Sequence, residues 1–233
     1  MQVVILAGGL GTRLWPVTKR VPKPLVPVAG VPYLEHQIRL LARQSLTDIV
    51  ILTGYLGEQI ERCFGNGQQF GVTIRYSREQ QPLGTGGALQ NARDLLADSF
   101  LVIYGDSYLP IAYASLGQLL TTTAATGVIA LYRDPTGETN VRCNVALDAD
   151  GTVLRYDKRA TAGDSGLQYV EAGVLALRRS VLDLMPPDGP VSLEEQIFPI
   201  LIARRRLLGF PTEQRFYDMG TPERLRAIEE YLA

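Results

Sequence analysis

Short unbroken apolar runs alternate along the first half of the chain with segments of helical period. Val3 to Leu6 is such a run, stopped by Gly8-Gly9, and it reads as a buried strand of a parallel sheet. Tyr33 to Gln44 places Leu34, Ile38 and Leu41 at spacings of four and three behind Pro32, which predicts an amphipathic helix. Asp48–Leu52 and Phe100–Ile103 repeat the buried-strand pattern, and Val72–Ser77 alternates apolar and polar. Helices are predicted at Leu56–Phe64 and at Thr85–Leu96, the latter opened by Gly86-Gly87. Strand followed by helix, repeated, is the signature of an open parallel sheet with helices on both faces. Ligands of such sheets bind beyond the carboxyl ends of the strands. Gly8-Gly9 and Gly105-Asp106 both fall at such ends.

The rhythm then changes. Ser115–Ala125 reads as helix and Val128–Tyr132 as strand. Val145–Leu147 and Val153–Tyr156 flank the turn Asp148-Ala-Asp-Gly151, and Val170–Leu177 is a further strand. Helices are predicted at Leu193–Ala203 and after Thr221-Pro222-Glu223, where Thr caps, Pro takes the first position and an acid the first turn. The expectation is one α/β domain over 1–233. It divides into a half at 1–133, a small antiparallel lobe at about 134–192 and a closing segment at 193–233.

Composition narrows the function classes. The chain has 233 residues, 46% of them hydrophobic, with 23 Lys+Arg against 24 Asp+Glu. A chain of this size can bury roughly three-quarters of its unfolded surface. A net charge of -1 argues against a dedicated nucleic-acid binder. Cys63 and Cys143 make neither a disulfide framework nor a zinc site. The apolar start lacks a basic n-region and no apolar run reaches 18 residues, so a cytoplasmic protein with no membrane partner is expected.

The first strand leads into Ala7-Gly8-Gly9-Leu10-Gly11-Thr12-Arg13-Leu14. Glycines here let backbone N–H groups approach a polyphosphate without an intervening Cβ. The loop is no Walker motif, because Gly-Lys-Ser/Thr is missing. It is no dinucleotide fingerprint either, because Leu14 stands where the third glycine is required. Together with Pro16 and Pro22-Lys23-Pro24, the run resembles the opening of the sugar-1-phosphate nucleotidyltransferases. Pro82-Leu-Gly-Thr-Gly-Gly87, Gly105-Asp106, Asp157-Lys158, Ala172-Gly173 and Asp218-Met-Gly-Thr-Pro222 extend the resemblance to about residue 232.

The resemblance implies a Rossmann-like, GT-A-like nucleotidyltransferase fold and transfer of a nucleotidyl group from a nucleoside triphosphate to a sugar 1-phosphate. It assigns Arg13 to the triphosphate, where a guanidinium can hold two oxygens. Lys23, aimed by its flanking prolines, is assigned to the α-phosphate or the sugar phosphate. Asp106 and Asp218 become ligands of Mg²⁺. Ala7, Gly8, Gly9, Gly11, Thr12, Gly84, Thr85 and Gly105 become nucleotide-binding. Lys158 is expected on the sugar phosphate, with Glu171 beside the sugar and Asn144 either in the same pocket or at the start of the hairpin. Relatives often carry Asn where Glu171 stands, and Glu-Lys where Asp157-Lys158 stands, so the sugar pocket departs from the common hexose pattern and Asp157 has no assigned role.

Glu79, four residues before Leu83-Gly-Thr85, bears on the base. Thymidylyl- and uridylyl-transferring relatives often have Gln there. An ionised Glu offers only acceptors, which matches the adjacent donors of guanine. The segment resembles the guanylyltransferases of mannose or heptose 1-phosphates, so GTP is the expected donor, with UTP or dTTP as the alternative; the other reading of Glu79 turns it to solvent and leaves the base to Gln80 or backbone groups. A non-catalytic nucleotide-sugar-binding homologue is the other alternative, and the presence of Arg13, Lys23, Asp106 and Asp218 favours an enzyme over it. A glycosyltransferase would carry a second acid in Asp106-Ser-Tyr108. His36, Trp15, the Asp148 turn and Arg204-Arg-Arg206 are read as structural, and monomer and homo-oligomer both stay open.

Overall fold

The computed structural model describes residues 1–134, 136–161 and 166–233. The chain runs β1 (Gln2–Ala7), β2 (Pro27–Val28), β3 (Val31–Pro32), α1 (Tyr33–Arg43), β4 (Asp48–Thr53), α2 (Gly57–Phe64), β5 (Thr73–Arg78) and α3 (Gly84–Asn91). It continues through β6 (Ser99–Tyr104), β7 (Ser107–Tyr108), α4 (Tyr113–Thr122), β8 (Gly127–Tyr132), β9 (Val145–Leu147), β10 (Val153–Tyr156) and β11 (Val170–Arg178). It closes with α5 (Phe198–Ala203), β12 (Leu207–Thr212), β13 (Tyr217–Asp218) and α6 (Pro222–Leu232).

Seven strands form one sheet in the order β12-β8-β11-β6-β1-β4-β5. β1 pairs in parallel with β4 and β6, β4 with β5, and β8 with β12. β11 is antiparallel to both of its neighbours, β6 and β8. The α/β expectation, a mostly parallel sheet with helices on both faces, therefore holds. Side chains alternate across the sheet, so Val3 and Ile5 join a core with α1, α2, α4 and α6 on one face. Val4, Phe100 and Val102 join a second core with α3 and α5 on the other.

The lobe expected at about 134–192 is smaller than the sequence suggests. β9 and β10 form the antiparallel hairpin, but β11 belongs to the centre of the main sheet, between β6 and β8. Its nine residues, eight of them buried, read as an isolated strand because nothing local reveals its partners. β12 was not anticipated. Gly209 and Pro211 interrupt its apolar run, which an edge strand tolerates. The helix expected over 85–96 ends at Asn91 and continues as a 3-10 turn at Arg93–Leu95. The helix expected over 193–203 opens with a π-turn at Leu193–Ile197.

The strand order sets where a site can form. β1, β4, β5 and β6 end together, at Gly8, Gly54, Glu79 and Gly105. Because β11 runs the other way, its first residues, Glu171 and Gly173, lie at that same edge. Gly105 closes the β6 end against β1: its N–H donates to Leu6 O at 2.9 Å, and a Cβ there would stand 2.5 Å from that oxygen. The obstacle is backbone and cannot rotate away. Gly105→Ala is expected to lower stability by about 2 kcal/mol, within the range of overpacking, measured as a denaturation midpoint. An unchanged midpoint would show that the two strand ends separate freely.

Candidate active site

Two cavities open along this edge. One, of about 590 Å³, is lined by Gly8, Gly9, Gly11, Thr12, Lys23, Glu79, Gly84, Thr85 and Gly105 among others. The second, of about 530 Å³, is lined by Asn144, Asp157, Glu171, Gly173, Asp218 and Arg224 among others. Arg13, Tyr104, Asp106 and Lys158 border both. Every site residue expected from the sequence lines one cavity or the other, and the two groups meet at these four side chains.

The glycine loop carries no α-helix behind it. Gly11, at φ 64°, leads into a 3-10 turn at Thr12–Leu14, and Thr18 Oγ1 donates to Gly11 O at 2.8 Å. A Cβ on Gly8 would stand 2.8 Å from Glu79 Oε1, and one on Gly54 would meet the same oxygen at the same distance. The Glu79 carboxylate therefore rests on glycine backbone, with Oε2 accepting the Leu83 N–H at 3.1 Å, and burial raises its pKa. Gly84 has a second reason to be glycine, since a Cβ there would stand 2.6 Å from Val191 O.

Two carboxylates meet at the junction. β13 pairs with β7, Asp218 opposite Ser107, and Met219 N–H donates to Asp106 O at 3.0 Å. Each acid already faces a cation. Lys23 Nζ lies 2.5 Å from Asp106 Oδ2, and Arg224 reaches both oxygens of Asp218 at 3.2 Å. The Gly220 N–H adds a bond of 2.5 Å to Asp218 Oδ1. No group of three or more His, Cys, Asp or Glu side chains able to hold a metal occurs among the described residues. Two adjacent carboxylates still suit a hard cation that takes its other oxygens from phosphates and water. Arg13 is exposed beside them and makes no ion pair among the described residues.

A second acidic pair flanks Lys158. The Glu194 carboxylate accepts from Tyr104 (2.5 Å), Thr85 (2.8 Å) and Ser192 (2.8 Å) and pairs with Lys158 at 3.0 Å. Burial opposes its ionisation, but Lys158, Tyr104 and Thr85 outweigh that and bring it down to about 2. Glu171 accepts from Gly173 N–H (3.0 Å) and Tyr156 O–H (3.2 Å), and its own N–H donates to Asn144 Oδ1 at 2.9 Å. Burial raises Glu171; Lys158 lowers it in part and Glu194 raises it again, leaving it at about 7. Asn144 thus serves both the cavity wall and the hairpin base.

Sequence reasoning missed Glu194, Arg224, Tyr104 and Ser107. Glu194 follows Ser192, which accepts the Glu195 N–H at 3.1 Å, so from sequence it reads as one more first-turn acid behind a cap. The structural readings of other residues fit: His36 bonds Val28 O at 2.9 Å, and Asp148 accepts the Asp150 and Thr152 N–H groups within its turn. Trp15 is half exposed, with Lys19 4.8 Å from its ring centroid.

The raised Glu171 makes stability depend on pH. The folded chain keeps this proton up to about pH 7, whereas the unfolded chain loses it near 4.5, so stability falls as pH rises through that window. The loss approaches about 3 kcal/mol at 1.4 kcal/mol per unit. Glu171→Gln removes the titration. The melting temperature of the variant relative to wild type is therefore expected to rise between pH 5 and pH 8, and a constant difference would contradict it.

The nucleotidyl transferase family model matches residues 2–233. The mannose-1-phosphate guanylyltransferase of Mycobacterium tuberculosis is 33% identical over 229 residues, covering 96% of this chain and 62% of that protein. The D-glycero-alpha-D-manno-heptose 1-phosphate guanylyltransferase of Aneurinibacillus thermoaerophilus is 29% identical, covering 100% of this chain and 98% of that one. The crystal structure of HddC from Yersinia pseudotuberculosis superposes with a TM-score of 0.82 at 27% identity, over 100% of this chain and 99% of that one. HddC has also been solved in complex with GMP-PN. The chain spans about three-fifths of the length of the mannose-1-phosphate relatives it matches, 62% for the mycobacterial and fission-yeast proteins, and the whole of the heptose relative's type of chain. With the glycine loop, the paired acids and the full-length match in agreement, this chain belongs to the nucleotidyl transferase family.

Proposed function

We propose that the chain transfers a guanylyl group from GTP to a sugar 1-phosphate, releasing pyrophosphate. The observation that carries this reading is the meeting of two cavities at Arg13, Asp106 and Lys158. Two anionic substrates, one in each cavity, would bring their phosphates together at that wall. The sugar phosphate oxygen attacks the α-phosphorus, the bond to the β-phosphate oxygen breaks, and pyrophosphate leaves with its electron pair. No covalent intermediate is needed, so the work of the side chains is positioning and charge neutralisation.

Arg13, without a carboxylate partner among the described residues, is the cation for the triphosphate, and its fork suits two phosphate oxygens. Lys23, close by on Asp106, serves the α-phosphate. Asp106 and Asp218 would hold Mg²⁺, which when bound supplies positive charge to phosphate oxygens. Lys158 takes the sugar phosphate, with Glu171 and Asn144 beside the sugar. Residues 1–133 then serve as the nucleotide half. The hairpin region from about 134 and the start of β11 serve the sugar phosphate, and the segment from 193 closes both cavities. The relatives named as guanylyltransferases support this assignment. No helix among the described residues is long and apolar enough to cross a membrane, and both cysteines are free, which supports a cytoplasmic setting.

Guanine is read from Glu79. Its carboxylate lies at the wall of the glycine-loop cavity with one N–H on it among the described residues, leaving acceptor capacity for two adjacent donors. Guanine presents such a pair, N1–H and the 2-amino group. Uracil and thymine set one N–H between two oxygens that a carboxylate repels.

The test is pyrophosphate release from GTP, UTP, dTTP, CTP and ATP crossed with a panel of sugar 1-phosphates that includes mannose and heptose 1-phosphates. GTP is expected to lead in kcat/KM by about tenfold or more, the worth of charge-assisted bonds, and Glu79→Gln is expected to shrink that lead. A preference for UTP or dTTP, or a ranking indifferent to Glu79→Gln, overturns the guanine assignment.

Asp106→Asn and Asp218→Asn are each expected to lower turnover by about 100-fold or more, as loss of charge stabilisation at a reacting phosphate does. Chelation of divalent cations should silence the wild type. Near-normal turnover in both variants would remove the metal assignment.

A further inference from the structure

Glu194 is the most heavily bonded carboxylate at the junction. Oε1 receives the Tyr104 hydroxyl at 2.5 Å and Lys158 Nζ at 3.0 Å; Oε2 receives the Thr85 and Ser192 hydroxyls, both at 2.8 Å. The side chain is only 3% exposed. Beside Ser192 of its own turn, its partners come from three places. Thr85 is in the first turn of α3 and lines the glycine-loop cavity, Tyr104 ends β6 one residue before Gly105-Asp106, and Lys158 lies in the loop after β10.

Lys158 needs such an anchor. Its side chain is 45% exposed on a long flexible stem, and Glu194 is its ion-pair partner among the described residues. Its ammonium stands 5.8 Å from the Tyr104 ring centroid, at the border of both cavities. Left to itself, a lysine head there would spread over solvent-facing rotamers. Lys158 together with the Tyr104 and Thr85 hydroxyls keeps the buried acid ionised, and bonds from three hydroxyls hold the carboxylate in place, so it cannot follow the ammonium outward. Glu171, Tyr156 and Tyr104 also face this group. Glu171 is much closer to neutral and cannot substitute as the counter-charge over most of the pH range below 7.

We infer that Glu194 is a positioning residue that pins the Lys158 ammonium at the shared wall of the two cavities, tying sugar-phosphate capture to the wall of the nucleotide site. This rests on the reading of Lys158 as the sugar-phosphate cation. Glu194 touches no reacting atom; it acts through Lys158.

A double-mutant cycle separates this role from simple support of the fold. Glu194→Gln keeps the shape, and its amide can face the Thr85 and Ser192 hydroxyls while its oxygen receives Tyr104, but the counter-charge is gone. KM for the sugar 1-phosphate accepted by the wild type is expected to rise about tenfold, with a smaller change in kcat and in KM for the triphosphate. In a Lys158→Met background the same substitution should change the sugar 1-phosphate KM by less than about twofold, since coupled residues are non-additive. Melting temperatures of all four proteins verify folding. Equal effects in both backgrounds, or a sugar 1-phosphate KM that falls in Glu194→Gln because a freed lysine binds better, overturn the inference while leaving the reaction intact. A wild-type chain that turns over no sugar 1-phosphate overturns the reading of the reaction itself, and the inference with it.

Discussion

The two-residue ladder between β7 and β13 returns the end of the chain to the carboxyl edge of the sheet. Without it, Asp218, Gly220 and Arg224 would have no fixed relation to Asp106. The ladder is short, so its neighbours hold it. Met219 N–H bonds Asp106 O at 3.0 Å, and Tyr217 stacks on Tyr231 of α6 at 4.4 Å. Beneath it, Gln37 of α1 donates to Tyr104 O and Ser107 O, clamping the backbone on either side of Gly105-Asp106. A buried amide with two carbonyl partners fixes a turn more firmly than exposed contacts do.

Charge at the junction is arranged in opposed pairs rather than as a bare positive surface. Lys23 faces Asp106, Arg224 faces Asp218 and Lys158 faces Glu194, while Arg13 stands exposed without such a partner among the described residues. An unpaired cluster of cations would repel itself and lower stability in the ligand-free chain. Pairing lets these cations stand close together without that cost. The same logic separates the two buried glutamates. Glu194 has a cation and three hydroxyls and stays ionised. Glu171, with one backbone N–H and one phenol, holds its proton to about pH 7.

Much of the fold could be read from the chain because the signals were local. Buried strands at Val3–Leu6, Asp48–Leu52 and Phe100–Ile103 end in glycine, and the helices between them show clear period. What was not legible depends on contacts distant in sequence. β11 looks the same whether it sits in a lobe or between β6 and β8, since only its partners differ. β12 is masked by Gly209 and Pro211. The site divides in the same way. Asp106 and Asp218 stood out through motifs, but Arg224 hides in an ordinary helix start. Glu194 is one of two adjacent acids, and only the fold shows that Glu194 is buried while Glu195 faces Arg159 in solvent.

The reversed strand carries the last step. A parallel β11 would deliver Arg178, not Glu171, to the edge where β1 and β6 end. Running antiparallel, it brings its first residues there, and a register shift between Glu171 and Leu175 marks a bulge at Gly173. Gly173, at φ 74°, permits that bulge, and any Cβ would collide with the Ser107 hydroxyl. Bulges beside active sites re-aim side chains. Here Glu171 turns back so that its own carboxylate accepts the Gly173 N–H. The acid is thus held by one backbone N–H on Oε1 and by the Tyr156 hydroxyl on Oε2. Its identity can differ from that of related chains without disturbing Asp106 or Ser107. Strand direction and one glycine fix where Glu171 sits at the cavity wall, and the side chain at that place is left free to differ.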